Sequence, residues 1–154
     1  MSLKTDAELI LERFGEAADE AEKNRKPLGG FLGLGKTPAD DPCHEIMDKS
    51  VEELAERAMN AGESAEEIDG LVNTILRAEK TLQPPQHARI SLIAAHRHMI
   101  PLIPYMSETG KRELLEWYEK EYPPIGRFPI QEEVLVALGK KRKERGSIFR
   151  RRVN

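Results

Sequence analysis

The sequence predicts an all-α protein, a single-domain antiparallel bundle of about five to six helices with a basic C-terminal tail, and three observations lead there. Among 154 residues there are 21 Glu and 14 Ala against only five Val and five Thr, a balance that favours helix over sheet. Thr5-x-x-Glu8, Ser50-x-x-Glu53 and Ser64-x-x-Glu67 each match the capping box, in which a hydroxyl accepts from a first-turn N–H and the glutamate reaches back. Apolar residues recur at helical spacing in six segments separated by proline and glycine. Leu, Ile, Val and Phe make up 36 of the 154 residues, just above the ~20% below which chains stay disordered.

The first segment, 5–24, places Ala7, Ile10, Leu11, Phe14, Ala17, Ala18 and Ala21 on one stripe. The second, 42–61, starts with Pro42 after Asp41, carries Ile46, Met47, Val51, Leu54, Ala55 and Ala58, and closes at Gly62, with a break expected at Ser50. The third, 65–82, aligns Ile68, Leu71, Val72, Ile75 and Leu82 before QPPQ stops it. The fourth, 86–100, is the most apolar and is expected to be central, with Pro101 and Pro104 ending or kinking it. The fifth, 108–121, carries Leu114, Leu115, Trp117 and Tyr118, and runs into a proline-rich loop, 122–129. The sixth begins near Pro129 with Ile130, Val134, Leu135 and Leu138. Short turns between segments favour antiparallel neighbours. The domain plan is an N-terminal amphipathic helix (1–24), a Gly/Pro-rich linker (25–41), a bundle core (42–138) and a basic tail (139–154) in which Gly139, Gly146 and Ser147 favour fraying.

Several classes are set aside. The longest apolar runs, such as 99–106, fall far short of the roughly 20 residues that span a bilayer, and the N-terminus carries no apolar stretch behind a basic start. No membrane contact is expected. The single cysteine, Cys43, suits a reducing compartment, and a cytoplasmic location is the expectation. Charge is uneven: the tail from Gly139 onward holds Lys140, Lys141, Arg142, Lys143, Arg145, Arg150, Arg151 and Arg152 against one acid, Glu144. These eight basic groups are the candidate anion-binding residues. The rest of the chain is acidic and would repel a polyanion, which places a protein partner or self-contact ahead of nucleic acid.

GFLGLGKT at 30–37 satisfies the G-x-x-x-x-G-K-[ST] phosphate-loop pattern, but no apolar strand leads into it and Pro38 disfavours a helical Thr37. It reads as a Gly-rich linker. Cys43 and His44, in the first turn of the second segment, are the candidate catalytic pair, since the positive end of the helix dipole stabilises a thiolate there. His44, Asp48 and a histidine of the fourth segment, His96 or His98, are the candidate metal ligands. Exposed apolar groups in irregular stretches mark interfaces, so Phe31, Leu32 and Leu34 of one loop and Tyr122, Ile125 and Phe128 of another are the candidate partner-binding residues. The function expected first is a non-enzymatic helical interaction module, an accessory subunit, adaptor or small oligomer with no cofactor. The alternatives are a metal- or thiol-dependent catalytic subunit using Cys43 and His44 with a fourth-segment histidine, and a nucleic-acid-associated protein using the tail.

Overall fold

The computed structural model describes residues 2–32 and 41–141, side chains of 25–32 excepted, and among them there are six α-helices and no strand. The helices are α1 (Leu3–Leu32), α2 (Pro42–Ala61), α3 (Ala65–Arg77), α4 (Pro85–Met99), α5 (Glu108–Glu121) and α6 (Pro129–Ala137). None of them is long and apolar enough to cross a membrane.

Helix starts follow local hydrogen-bond chemistry, and here the sequence expectations need correction. The first helix begins ahead of Thr5: the Ser2 hydroxyl accepts from the Thr5 N–H at 3.1 Å. It also runs on to Leu32, eight residues beyond the expected end at 24, so much of the expected linker is helical. Ser50 breaks nothing. It lies inside α2 and donates its hydroxyl hydrogen to the Ile46 carbonyl at 2.9 Å, spending on the preceding turn the group that a cap would use. Ser64 does cap α3, accepting from Glu67 N at 3.3 Å. Glu67, however, turns its carboxylate to Leu3 N at 3.1 Å, so it caps the first turn of α1 instead of completing its own box. Asp41 caps α2 by accepting from Cys43 N at 2.8 Å, with Pro42 at the first helical position and Gly62 in the left-handed conformation at the far end.

The core is one apolar cluster to which every helix contributes. α1 packs on α2 and α3, while α4 packs on α2, α3 and α6. Ala88, Leu92, Ala95 and Met99 of α4 are fully buried, so the fourth segment is central as its composition predicts. Past Met99 the chain tightens into a 3₁₀ turn, Ile100–Tyr105, where Pro101 and Pro104 deny the α-helical bonds. The start of α5 is tied to α3: Asp69 accepts from Ser107 N at 2.9 Å and Ser107 Oγ at 2.5 Å, and Ser107 Oγ in turn accepts from Gly110 N. Only a glycine allows that approach, because a Cβ at 110 would lie 2.5 Å from the Asp69 carboxylate.

Three contacts fix how α2 lies among its neighbours. Arg57 near its end pairs with Asp6 near the start of α1, so α1 and α2 are antiparallel. His44 meets Ser91 and Asp48 meets His98, so α2 and α4 run parallel, with α3 returning between them in the chain. The α2–α4 seam carries the polar groups described next.

Candidate metal centre

Polar residues enter the α2–α4 seam at one end, beside the first turn of α2. The N-cap at Asp41 and the proline at 42 set the register that turns Cys43 inward, 5% exposed, and leaves His44 half-buried. On α4, His87 and Ser91 are one turn apart on the same face as Ala88, Leu92 and Ala95, and both are buried. They meet His44 together. Its Nδ1 lies 2.5 Å from Ser91 Oγ and its Nε2 lies 3.0 Å from His87 Nδ1. The two imidazoles stack, 5.1 Å between centroids and 14° from parallel, and Phe14 of α1 closes over His44 at 5.7 Å. The far nitrogen of His87, Nε2, reaches Glu22 Oε2 of α1 at 3.0 Å. Ser91, His44, His87 and Glu22 thus form one hydrogen-bonded line across three helices.

The line dictates its own protonation. A carboxylate only accepts, so His87 carries its hydrogen on Nε2 and turns the Nδ1 lone pair toward His44. With a proton between the rings, His44 donates from Nε2, and the Ser91 hydroxyl donates to His44 Nδ1. With a cation there instead, His44 keeps its hydrogen on Nδ1 and the same hydroxyl rotates to accept it. Serine serves either state because a hydroxyl both donates and accepts.

One ligand atom each from Cys43, His44 and His87 lies within 4.8 Å of the other two. Zinc bonds of about 2.3 Å to sulfur and 2.0–2.1 Å to nitrogen put tetrahedral donors about 3.3–3.6 Å apart. The imidazole nitrogens, at 3.0 Å, need to separate by only about 0.3–0.4 Å to reach that. Each ring already offers its outer nitrogen to an oxygen, the arrangement that orients metal-bound histidines.

Electrostatics weighs against the thiol-nucleophile expectation. Burial, then the neighbouring Asp41, push the Cys43 thiol up to about 12, opposite to the lowering expected from the helix dipole. The dipole contributes a few tenths to 1 kcal/mol at a helix end, less than the cost of a charged sulfur in an apolar seam beside a carboxylate. At Asp41 burial opposes ionisation, but hydrogen bonds from Cys43 outweigh it and hold the carboxyl below its ordinary value. Cys43 is therefore a protonated thiol that only a strongly binding cation would ionise.

The expected ligand set His44, Asp48 and a fourth-segment histidine does not assemble. His96 is fully buried elsewhere; its Nδ1 donates to the Leu92 carbonyl at 2.6 Å and its ring leans on Tyr118. Burial pushes it down to about 4, the Leu92 bond opposing only in part, so it is neutral and turned away from the seam. Asp48 and His98 do meet, at 2.9 Å, with Arg97 on the other carboxylate oxygen at 2.7 Å, and Glu52 completes a more exposed trio there. Burial works against Asp48's charge, yet the bonds from His98 and Arg97 hold its carboxyl below the ordinary value. Asp48 already spends its two carboxylate oxygens on Arg97 and His98.

Of the partner-binding candidates, Tyr122 is buried and donates its hydroxyl to Glu79 at 2.8 Å, so it belongs to the core and not to a contact surface. Ile125 is 93% exposed and Phe128 41%, with the Arg89 guanidinium 5.4 Å from the Phe128 ring. Phe31 and Leu32 fall in the last turn of α1, and their side chains, like all of Leu34, lie outside the described residues, as does most of GFLGLGKT. In the tail, Lys140 stands 4.0 Å from Glu119 and Lys141 is exposed, whereas Arg142, Lys143, Arg145, Arg150, Arg151 and Arg152 lie outside them.

Comparison with protein-family models, curated proteins and solved structures gives no match. The functional reading therefore stands on this chain's own geometry.

Proposed function

We propose that the protein binds a divalent transition-metal ion of the zinc class, with the Cys43 thiolate, His44 Nε2 and His87 Nδ1 as ligands. The carrying observation is the meeting of two imidazole nitrogens at 3.0 Å beside a buried thiol, with Glu22 and Ser91 on the outer nitrogens. Soft sulfur with two imidazoles suits zinc or cobalt(II) better than magnesium or calcium, which take oxygen donors. Three protein ligands leave the fourth position of a tetrahedral ion to water or to an incoming group. Such an ion would tie α2 directly to α4 and, through Glu22, to α1. This replaces the expectation of a cofactor-free protein.

The test is zinc titration of reduced, chelator-stripped protein followed by calorimetric unfolding. One ion per chain should bind, and zinc at 100 times its dissociation constant should add about 2.7 kcal/mol of stability. Cys43→Ala and His87→Ala should abolish the effect, and Glu22→Gln should weaken affinity about 10–100-fold. Equal stabilisation of wild type and His87→Ala would overturn the assignment.

A second reading, docking to a protein partner, is favoured by Ile125 and Phe128. They stand exposed on a loop that Arg127 braces against the Tyr122 carbonyl and Glu132. Ile125→Asp should release a co-purifying chain if that surface is used, and leave native mass unchanged if it is not.

A further inference from the structure

A cavity of about 130 Å³ lies where α4, the loop after α5 and the 3₁₀ turn Ala78–Lys80 meet. Its most buried polar groups are Arg127, whose side chain is 3% exposed, and Gln131. Ile93, Tyr122, Ile125 and Phe128 supply apolar wall. Lys80 and Arg89 complete the lining, each held on a ring face: Lys80 Nζ stands 4.4 Å from the Tyr122 centroid and the Arg89 guanidinium 5.4 Å from that of Phe128. Such contacts position a cation without neutralising it. Arg127 gives three hydrogen bonds, two to the Tyr122 carbonyl and one to Glu132 outside the cavity, so two of its five N–H hydrogens are unspent. Two carboxylates also line the space. Glu79 spends one oxygen on the Tyr122 hydroxyl at 2.8 Å, and neither it nor Glu121 pairs with a cation of the lining among the described residues. Both signs of charge therefore face one small cavity without joining each other across it.

We propose that this cavity binds a free α-amino acid with a small apolar side chain, its carboxylate toward Lys80 and Arg89, its ammonium toward Glu79 and Glu121, and its side chain against Ile93 and Ile125. A plain anion would be repelled by the two carboxylates, and an apolar molecule would strip water from every charge without replacing it. A zwitterion answers both sets at once. Size points the same way: a cavity of about 150 Å³ encloses a benzene-sized group, so this one suits a side chain of about three or four carbons. The site is separate from the metal centre, because Arg89 and Ile93 each lie two residues along α4 from His87 and Ser91, about 200° round the helix. It needs no protein partner on Ile125 and Phe128.

The test titrates L-valine into the full chain with methyl-labelled isoleucine, read by NMR in the presence of chelator so that metal coordination by the amino acid plays no part. The Ile93 and Ile125 methyl signals should shift and saturate, with a dissociation constant of about 1 mM, while Ile75 and Ile103, buried in the core, stay in place. Lys80→Gln and Arg89→Gln should each weaken binding about 2–5-fold, as exposed charge pairs do. Isovalerate, which lacks the ammonium, and isobutylamine, which lacks the carboxylate, should bind about 5-fold or more weakly than valine. Isovalerate binding as tightly as valine would overturn the proposal in favour of a plain anion site. Shifts that do not saturate, or a valine affinity unchanged when Lys80→Gln and Arg89→Gln are combined, would overturn it outright.

Discussion

Lowering the pH from 7 toward 4 should destabilise the protein by about 3 kcal/mol through His96 alone. The imidazole is fully buried, its Nδ1 bonded to the Leu92 carbonyl and its Nε2 buried without a hydrogen-bond partner, and burial pushes it from 6.5 down to about 4. In the unfolded chain the same ring takes up a proton near pH 6.5. Between those values the unfolded state binds one proton more than the folded state, so stability falls as pH falls, by about 1.4 kcal/mol per pH unit. The contribution is fully present above 6.5 and is lost as pH drops toward the folded value. Urea unfolding of wild type and His96→Leu, in the presence of chelator, isolates the effect, because carboxylates titrate equally in both. The stability of the wild type relative to the variant should decline by about 3 kcal/mol from pH 7 to pH 4. Parallel pH profiles would refute the reasoning, by showing that the buried imidazole accepts a proton in place.

Three further outcomes follow from local geometry. Gly110→Ala should cost about 2–4 kcal/mol in chemical unfolding, because the new methyl meets the Asp69 carboxylate at 2.5 Å and forces it off Ser107; a loss below 0.5 kcal/mol would show that α5 shifts freely. Cys43 in metal-free folded protein should react with a thiol reagent at least 100-fold more slowly than in denaturant at pH 8, since it is buried and protonated, and comparable rates would mean that the seam opens readily. Ser64→Ala should lose about 1 kcal/mol of stability, and Glu67→Gln should loosen the start of α1 instead of α3, read as faster amide exchange at Leu3; unchanged exchange there would remove Glu67 from that cap.

Periodicity carried α2 to α6 nearly to their observed ends, because proline, glycine and capping residues act through the backbone within a few residues of themselves. It failed where a signal depends on context. Ser50-x-x-Glu53 has the composition of a cap, but the apolar stripe from Met47 through Val51 to Leu54 passes straight through it and keeps the helix whole. Tyr122 stands one turn beyond Tyr118 and two beyond Leu114 on the same buried face, a spacing that points to the core, whereas the adjoining prolines point to a loop. The candidate centre was half legible. Cys43 and His44 were visible as a pair at a helix start, whereas His87 and Ser91 needed knowledge of which face of α4 meets which face of α2. Their one signal was local: two polar residues four apart on a stripe otherwise built of Ala88, Leu92 and Ala95. Glu22 lies 65 positions from its partner, and nothing along the chain links them.

The metal centre is tested most directly by cobalt(II) in place of zinc, read by absorption spectroscopy on the reduced, full-length protein. A thiolate and two imidazoles in tetrahedral array should give intense visible ligand-field bands and a near-ultraviolet sulfur-to-cobalt band, saturating at one ion per chain. Cys43→Ser should remove the sulfur band, and His87→Ala should remove the bound ion. A weak, octahedral-type spectrum, or a sulfur band unaffected by His87→Ala, would contradict a site made from Cys43, His44 and His87.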